Sequence, residues 1–357
     1  INQEWGSGLI GSWNDAGWIN LPQRLGDKLG PLSGAEPGEV IVTDSVSVNI
    51  FKILAGALQM QKGKRKVVLS EMGNFPTDLY MTQGIQSLGL AQSKVVETDK
   101  LFEALDDSIA VLLLSHVHYK NSTIHDLTGL TSAAHDAGAL VLWDLSHSCG
   151  AMPLDLNLAN VDFAVGCGYK YLCGGPGAPA YCYVAERHQK EFRQPLSGWM
   201  GHNQPFGFHD EYVPASGVNR MLCGTPPILS MAALEEGINI ISEIGIDRLY
   251  KKSCALSEFF LDCLVASKIE IEIISPRNVR ARGSHISIRH ENAYAVSRAL
   301  EKRGVIGDFR SPDILRLGFA PAYLTFADVE KAARTLGEII DTSAWRDPEF
   351  QQVRSVT

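Results

Sequence analysis

Short apolar runs alternate with amphipathic stretches through the first part of the chain. The runs at 110–115, 140–144 and 161–165 are largely apolar, as is typical of parallel strands buried on both faces of a sheet. Residues 46–58 and 124–137 instead carry apolar side chains at helical spacing. This alternation predicts a doubly wound α/β domain with a mostly parallel sheet, in which ligands bind outside the carboxyl ends of the strands. Further strands are predicted at 39–42, 66–70 and 180–184, and further helices at 21–29 and 230–241.

The pattern changes near Gly245. The predicted helices beyond it are 246–267, 291–303 and 325–340, and the predicted strands are 270–274, 285–289, 305–309 and 314–319. Their order is typical of a small α+β domain. We therefore expect a large domain at 31–245 and a small domain at 246–357, with residues 1–30 packing against the small domain.

Composition and charge narrow the class of partner. The 357 residues are 45% hydrophobic and 20% charged, and a net charge of −8 argues against nucleic acid or an anionic membrane as the main partner. No apolar run approaches the roughly 18 residues that a membrane-spanning helix needs. The seven cysteines form no CxxC pair and the histidines form no HExxH, so we expect no metal site. The number of cysteines is odd and several lie in apolar runs, so we expect them to be reduced and mostly buried, which favours the cytoplasm.

Two charged residues follow neighbouring predicted strands. Asp144 ends the run at 140–144, and a glycine-rich turn after 161–165 leads to Tyr169 and Lys170. For either charged residue alone, a capping aspartate or a surface lysine is the ordinary interpretation. Together they suggest the two ends of a pyridoxal phosphate site, in which a lysine holds the aldehyde as a Schiff base and a carboxylate keeps the pyridine nitrogen protonated. No GxGxxG follows the first strand, which disfavours a nicotinamide dinucleotide.

Two weaker signals lie upstream. The predicted helix that opens with Asp44-Ser45-Val46-Ser47 offers backbone N–H groups and small hydroxyls to an anion, although most serine-capped helices bind nothing. In the loop at 73–78, Phe75 has a ring face for a flat ligand and Asp78 has a hydrogen-bond acceptor. A packed Phe-Pro turn is the plainer interpretation of that loop.

Motifs spread over the chain resemble the kynureninase family, which consists of pyridoxal-phosphate enzymes of the fold type I aminotransferase superfamily. The motifs are EWGSGLIGSWNDAGWINLPQRLGDKLG, NFPTDLY, LLLSHVHYKNS, WDLSHSCG, VDFAVGCGYKYL, GWMGH, CGTPPIL, RGSHISI and ILRLGFAP. WDLSHS with GYKYL narrows the match beyond the superfamily, and FPTD with GWMGH points to this branch. The resemblance implies a large domain with a mostly parallel sheet and a small α+β domain.

The resemblance also implies catalytic roles. Lys170 would form the Schiff base and move the proton of the substrate Cα. Asp144 would pair with the pyridinium nitrogen, and losing that carboxylate would remove the electron sink. Tyr169 would bind the cofactor phosphate and donate a proton late in the reaction. Arg316 would clamp the substrate α-carboxylate with its guanidinium, although for an arginine alone a surface ion pair is the commoner fate.

The remaining implied positions contact the cofactor. Phe75 would stack on its ring, and Val46 and Ser47 would bind its phosphate. Trp199 and Thr225 fall where a second subunit of a homodimer completes the site, although some relatives carry Asn at the position of Thr225. The further contact positions are Pro76, Thr77, Asp78, Ser115 and His147.

The implied reaction is hydrolysis of L-kynurenine to anthranilate and L-alanine in tryptophan degradation. Animal members carry a histidine near the amino terminus that helps to select the substrate. The corresponding region here reads GSWND, so the resemblance implies no preference for 3-hydroxykynurenine.

Three alternatives stay open on the sequence alone. A cysteine desulfurase or a class V aminotransferase would share the fold, but a desulfurase needs a mobile nucleophilic cysteine, for which Cys223 in CGTPP is the nearest candidate. A catalytically silent dimeric binding protein is the third. The intact Lys170, Asp144 and Arg316 argue against it.

Overall fold

The computed structural model describes residues 1–61, 63, 65–352 and 354. The chain forms two compact units. The first contains Ile1–His116 and His125–Glu243, and the second contains Val117–Ile124 and Ile244–Thr357. The hydropathy pattern gave no sign that residues 117–124, from the middle of the chain, belong to the second unit.

A seven-stranded sheet organises the first unit. Its strands are β1 (Val40–Val42), β2 (Val67–Glu71), β3 (Gln92–Val96), β4 (Ile109–Ser115), β5 (Leu140–Asp144), β6 (Phe163–Cys167) and β7 (Ala180–Val184). They lie in the order β1-β7-β6-β5-β4-β2-β3. β7 pairs antiparallel with both of its neighbours, and the other pairings are parallel. This confirms the predicted α/β class and its mostly parallel sheet.

The helices of the first unit are α1 (Ser12–Asp15), α2 (Leu21–Ser33), α3 (Val46–Met60), α4 (Pro76–Ser87), α5 (Leu101–Ala104), α6 (Leu127–Asp136), α7 (Glu186–Gln189) and α8 (Ile228–Ile244). The whole of β4 is buried, as its apolar run predicted. Ile50, Ile53 and Leu54 of α3 belong to the same core cluster as Val111 and Leu113 of that strand. Burying each such side chain contributes roughly 1.5–3 kcal/mol.

Residues 1–30, expected to pack against the small domain, are grouped with the first unit. Leu21, Leu25 and Leu29 form the buried face of α2, which packs against β1. On the other face, Arg24 and Lys28 both pair with Glu235 of α8. The sequence predicted a helix at 21–29 but not the surface that covers it.

The second unit is a smaller α+β structure. Its antiparallel sheet has the order β10-β11-β9-β8, and the elements are α9 (Ile246–Ala266), β8 (Glu272–Ile273), β9 (His285–Arg289), α10 (Ala293–Lys302), β10 (Asp308–Arg310), β11 (Ile314–Gly318) and α11 (Phe326–Asp341). Phe260, Val296 and Leu336 belong to its buried core. The segment 117–124 joins this unit through a bridge from Thr123 to Arg282.

Two local predictions needed correction, and one strand was missed. The strand predicted at 305–309 begins at Asp308, because Val305 still donates its N–H to Leu300 O at the end of α10. The predicted loop at 73–78 ends in helix, since Pro76 opens α4 with no N–H to satisfy there. The edge strand β3 was not predicted, because its polar, partly exposed residues lack an apolar pattern. No helix in the described part of the chain has the length and apolar character to cross a membrane.

Candidate active site

The carboxyl ends of three parallel strands bring polar residues to one edge of the sheet. Asp144 ends β5 and is paired in register with Ser115, the last residue of β4. Lys170 follows the next strand, β6, by three residues. Burial raises the pKa of Asp144, and the positive charge of Lys170 and the N–H of Ser146, 2.7 Å from Oδ1, act in the opposite direction. The predicted carboxylate and lysine therefore interact within one site.

Asp78 is a second carboxylate at this site. It lies in the first turn of α4 and is fully buried. Its Oδ2 accepts a hydrogen bond from Ser115 Oγ at 3.4 Å, whereas its Oδ1 has no hydrogen-bond partner among the described residues. Burial, and next the charge of Asp144, raise the pKa of Asp78 well above its usual range, although Ser115 and Lys170 act to lower it. Two buried carboxyl groups thus lie near one lysine, whose single positive charge cannot neutralise both. A cationic ligand would supply the missing positive charge.

Aromatic rings flank the lysine. Nζ of Lys170 lies 5.7 Å from the centroid of the Phe75 ring and 5.6 Å from that of Tyr169. Phe75 precedes α4, where Pro76 and Thr77 form the first turn, and its N–H donates to Asn74 Oδ1 at 2.7 Å. The same oxygen accepts from Ser115 Oγ at 2.7 Å, so Asn74 fixes both residues.

Beside the lysine, a cavity of about 460 Å³ has Tyr169 and Thr225 in its walls, together with the loop Thr43–Ser45. Ser45 caps α3, accepting from Val48 N–H at 3.4 Å. Val46 and Ser47 form the start of this helix, where backbone N–H groups have no intrahelical acceptors. Burial, followed by Cys167 and Asp144, raises the pKa of Tyr169 to about 12, so its phenol is a proton donor at neutral pH.

His147 and Trp199 occupy different surroundings. His147 lies in the turn after Asp144, with its ring edge-on to Tyr171 at 6.4 Å. Trp199 packs against Phe206 and Phe208, and these rings are at least partly exposed. It lines a separate cavity of about 350 Å³, so within one chain it is not brought to the cavity of Tyr169.

Arg316 belongs to the second unit. It lies on β11, is 8% exposed and makes a two-pronged ion pair with Asp308, with Nε–Oδ1 at 2.9 Å and Nη2–Oδ2 at 2.6 Å. Its Nη1 donates to the carbonyl of Tyr119 at 2.7 Å. These bonds fix the orientation of a nearly buried guanidinium. The surface ion pair that is the ordinary fate of an arginine does not describe it.

Two residues of the site were missed by the sequence reasoning. Asn74 bonds both Ser115 and Phe75, and Lys52 of α3 pairs with Asp44 of the cavity wall. The sequence gives no signal for Asn74, because the bond that ties it to the site joins it to Ser115, which is distant in sequence. Lys52 does carry one: it shares the buried face of its helix with Asn49 and Ile53, where a charge needs a partner.

The assembled site could hold a flat, cationic heterocycle with an anionic tail. Asp78 and Asp144 would lie next to the cationic atom, and Phe75 would stack on the ring. The cavity beside Tyr169 would hold the anionic group. Among the described residues no group of three or more His, Cys, Asp or Glu side chains could hold a metal ion.

Comparison with solved structures shows the fold. The apo cysteine desulfurase from Thermococcus onnurineus NA1 superposes with a TM-score of 0.79 at 18% identity, covering 92% of this chain and 85% of that chain. The cystine C–S lyase C-DES, in complex with its product cysteine persulfide, gives a TM-score of 0.79 at 17% identity, covering 91% and 88%. At such identities these enzymes share the architecture alone.

Comparison with known sequences identifies the family. Residues 249–336 match the family model described as the kynureninase C-terminal domain. The kynureninase of Burkholderia pseudomallei (strain 1106a) is 48% identical over 370 residues, which cover 100% of this chain and 88% of the relative. That of Pseudomonas fluorescens is 45% identical over 366 residues, with the same coverage. With such identity over its full length, the chain belongs to the kynureninase family.

Proposed function

We propose that this chain is a pyridoxal-phosphate-dependent kynureninase, a hydrolase that converts L-kynurenine to anthranilate and L-alanine in tryptophan degradation. The observation that carries the proposal is the placement of Asp144, Asp78 and Lys170 at the carboxyl edge of the sheet, in a chain 48% identical to a kynureninase. Asp144 lies in register with Ser115, and Ser115 bonds Asp78. Lys170 lies against the ring of Phe75. The substrate is a small molecule.

The residues at the sheet edge fit pyridoxal phosphate. The buried Oδ1 of Asp78 lacks a partner among the described residues, and a cationic ring nitrogen between Asp78 and Asp144 would relieve the repulsion of the two carboxylates. When bound, the cofactor withdraws electrons from the substrate α-carbon. Asp144 would keep that ring protonated, and the Phe75 ring would cover one of its faces.

Proton transfer falls to Lys170 and Tyr169. Lys170 would bind the cofactor aldehyde and, once substrate has displaced it, remove the proton of the substrate Cα. Tyr169, whose pKa is raised to about 12, keeps its proton at neutral pH and would bind the phosphate and donate later.

The anion end of the site would be formed by α3. Val46 and Ser47 would offer the phosphate their backbone N–H groups and a hydroxyl, at the positive end of the helix dipole. The remaining proposed cofactor contacts are Pro76, Thr77, Ser115 and His147. Arg316 would bind the substrate α-carboxylate, and its near burial supports a recognition role.

A homodimer would complete the site. We infer that Trp199 and Thr225 of the partner subunit contribute to it, although Thr225 also lines the cavity of Tyr169 within its own chain. The exposed aromatic patch of Trp199, Phe206 and Phe208 supports an interface there. We also assign the large domain to residues 31–245 and the small domain to 246–357, with residues 1–30 added to the large domain and 117–124 moved to the small one, as the two compact units support. The odd number of cysteines without a CxxC pair supports a cytoplasmic location.

A cysteine desulfurase is the nearest rival. Its chemistry needs a cysteine on a mobile loop, but Cys223 donates from Sγ to Leu196 O at 3.0 Å. The backbone of Cys223 also packs closely on Gly198. A Cβ added to Gly198 would lie 2.2 Å from the carbonyl oxygen of Cys223. Because these contacts fix the Cys223 thiol in place, they favour the kynureninase function over the desulfurase function.

The appearance of anthranilate fluorescence on adding L-kynurenine to cofactor-supplemented protein tests the function. The wild-type protein should turn over, and Lys170→Ala should lose turnover by a factor of at least about 10³, because it removes the amine that would bind the cofactor and move the Cα proton. Lys190→Ala, at an exposed lysine of the same unit, is the matched control and should behave as wild type. Multiple turnover by Lys170→Ala, or a wild-type protein that makes no anthranilate, would contradict the proposal. Kinetics with kynurenine and 3-hydroxykynurenine side by side would give the ring preference.

A further inference from the structure

Lys52 is a charged residue with no exposure to solvent. It lies on the inner face of α3, where its Nζ pairs with Asp44 Oδ2 and donates to the carbonyl of Met221 at 2.6 Å. Removing an ammonium group from water costs several kcal/mol unless it is paired. A lysine in this place therefore needs a function that an apolar residue of the same size could not supply.

Its partner, Asp44, is held in an unusual backbone conformation at the cavity wall. Its φ is +49°, in the left-handed region that residues other than glycine adopt infrequently. Its carboxylate also accepts from Thr43 Oγ1 at 2.8 Å, and its carbonyl accepts from Ala180 N–H at 2.9 Å. These bonds fix a negative charge beside Ser45, the residue that caps α3.

The charge of Asp44 opposes the chemistry proposed for the cavity. Among the described residues that line the cavity, Asp44 has the one charged side chain. A phosphate bound near Tyr169 and the start of α3 would share the cavity with this carboxylate. Like charges in one partly buried cavity repel each other strongly. Lys52, which does not line the cavity itself, pairs with Asp44 and supplies the compensating positive charge.

Lys52 also connects the two walls of the cavity. Asp44 belongs to the loop before α3, whereas Met221 begins the segment that continues through Leu222 to Thr225, and both walls line the cavity. One ammonium group thus bonds to both segments, which are more than 170 residues apart in sequence.

We propose that Lys52 is a positioning residue that neutralises Asp44 and so allows the cavity to accept a phosphate group. It acts through Asp44 and contacts neither substrate nor cofactor. The inference rests on the proposed function, in which the cofactor phosphate occupies this cavity.

The test compares Lys52→Met, Asp44→Asn and the double variant, with binding of pyridoxal phosphate and of pyridoxal followed by absorbance and tryptophan fluorescence. Lys52→Met leaves Asp44 uncompensated and should raise the Kd of pyridoxal phosphate at least about tenfold. The Kd of pyridoxal, which lacks the phosphate, should change less than about threefold. Asp44→Asn should bind the phosphate form at least as tightly as wild type.

The double variant separates charge from structure. With both charges removed, its Kd for pyridoxal phosphate should return to within about threefold of wild type, and this comparison stands even if Lys52→Met alone fails to fold. Lys94→Met is the matched control, because it removes the same charge from a pair with Asp106 on the exposed edge strand, and it should bind as wild type does. A double variant that binds as weakly as Lys52→Met, or equal losses for pyridoxal and pyridoxal phosphate, would overturn the proposal.

Stabilisation by inorganic phosphate tests the cavity independently of the cofactor. Millimolar phosphate should raise the melting temperature of the wild type and the double variant more than that of Lys52→Met. If wild type responds in this way but binds no pyridoxal phosphate, the cofactor assignment fails and the role of Lys52 stands. If wild type binds the cofactor and the variants bind it equally, the role of Lys52 fails and the function stands. If wild type responds to neither ligand, both are wrong.

Discussion

At the scale of single residues, the site places two acidic side chains where their negative charges repel each other. Asp78 and Asp144 are both buried, and the charge of Asp144 raises the pKa of Asp78. A chain selected for stability alone would carry a neutral residue at one of these positions. Sites that bind a charged group commonly sacrifice stability in this way.

This repulsion predicts that Asp78→Asn stabilises the cofactor-free protein at pH 7. The raised pKa means that the folded state holds the proton of Asp78 more tightly than the unfolded chain does. Its contribution to stability is therefore present below the ordinary pKa of about 3.9 and is lost as the pH rises through the folded-state value. Melting temperatures should show a small gain at pH 7, since about 1 kcal/mol corresponds to roughly 2–4 °C in a protein of 150–250 residues and to less in a larger one. The gain should shrink towards pH 4.

Asp106→Asn is the control for this pH dependence. Hydrogen bonds from Ser108 lower the pKa of Asp106 to about 2, so its contribution has the opposite sign and is present above its ordinary pKa. Its replacement should therefore give no gain at pH 7. An Asp78→Asn variant that is less stable than wild type at pH 7 would contradict the account.

Arg316 leads to a prediction about substrate affinity. Arg316→Ala should raise KM for L-kynurenine by about 10- to 100-fold with a smaller effect on kcat, because a bidentate contact to the substrate carboxylate acts mainly on binding. The KM of Arg316→Lys should lie between those of wild type and Arg316→Ala, since an ammonium group lacks the planar fork of a guanidinium. Arg289→Ala is the matched control, because Arg289 lies on the neighbouring strand β9 and also pairs with carboxylates. An unchanged KM in Arg316→Ala would remove its proposed role.

At the scale of elements, one glycine sets the distance between α2 and β1. A Cβ on Gly26 would lie 1.9 Å from the carbonyl oxygen of Val40, so the helix could not pack where it does. Gly84 of α4 is also helical, but a Cβ there would meet nothing within 4 Å. The two positions form a natural pair for testing close packing.

Alanine at these two positions should have opposite effects on stability. Gly26→Ala should lower the free energy of unfolding by about 1–3 kcal/mol or more through overpacking against rigid backbone. Gly84→Ala should raise it by roughly 0.5–1 kcal/mol, because alanine loses less conformational entropy in a helix. Urea denaturation of the two variants beside wild type measures both. Equal effects of the same sign would refute the packing argument.

The elements also show what a sequence can and cannot reveal. The strands β7 and β9 were predicted with their observed bounds, because each is a compact extended run between turn residues. Asp144 and Lys170 were found because they end or follow such runs. Asn74 was missed because its partner Ser115 comes close only in the folded chain. Lys52 was missed although a charge on the buried face of a helix signals the need for a partner.

At the scale of the whole molecule, the exposed aromatic patch predicts self-association. Phe206 and Phe208 are 59% and 76% exposed, and both contact Trp199. The wild-type protein should sediment as a dimer, because large exposed aromatic side chains are typically buried in interfaces. The double substitution Phe206→Asp and Phe208→Asp should shift it towards monomer and lower activity at low protein concentration.

Leu158→Asp is the control for the aspartate substitutions. Leu158 is 84% exposed in the same unit and is not part of the aromatic patch, so its replacement should leave the sedimentation of the protein unchanged. A wild-type protein that stays monomeric at micromolar concentration and still turns over kynurenine would contradict the proposed shared site.

The assignment of residues 117–124 to the second unit has a consequence for recombination among relatives. The polypeptide passes between the units three times, at 116/117, 124/125 and 243/244, so no single crossover point separates their coding sequences. A chimera that takes residues 244–357 from another species keeps the octapeptide of the original parent. That octapeptide supplies the Tyr119 carbonyl for Arg316 and the bridge to Arg282, so the exchange would need matching alleles at both segments. Such linkage would tie the inheritance of the two segments together.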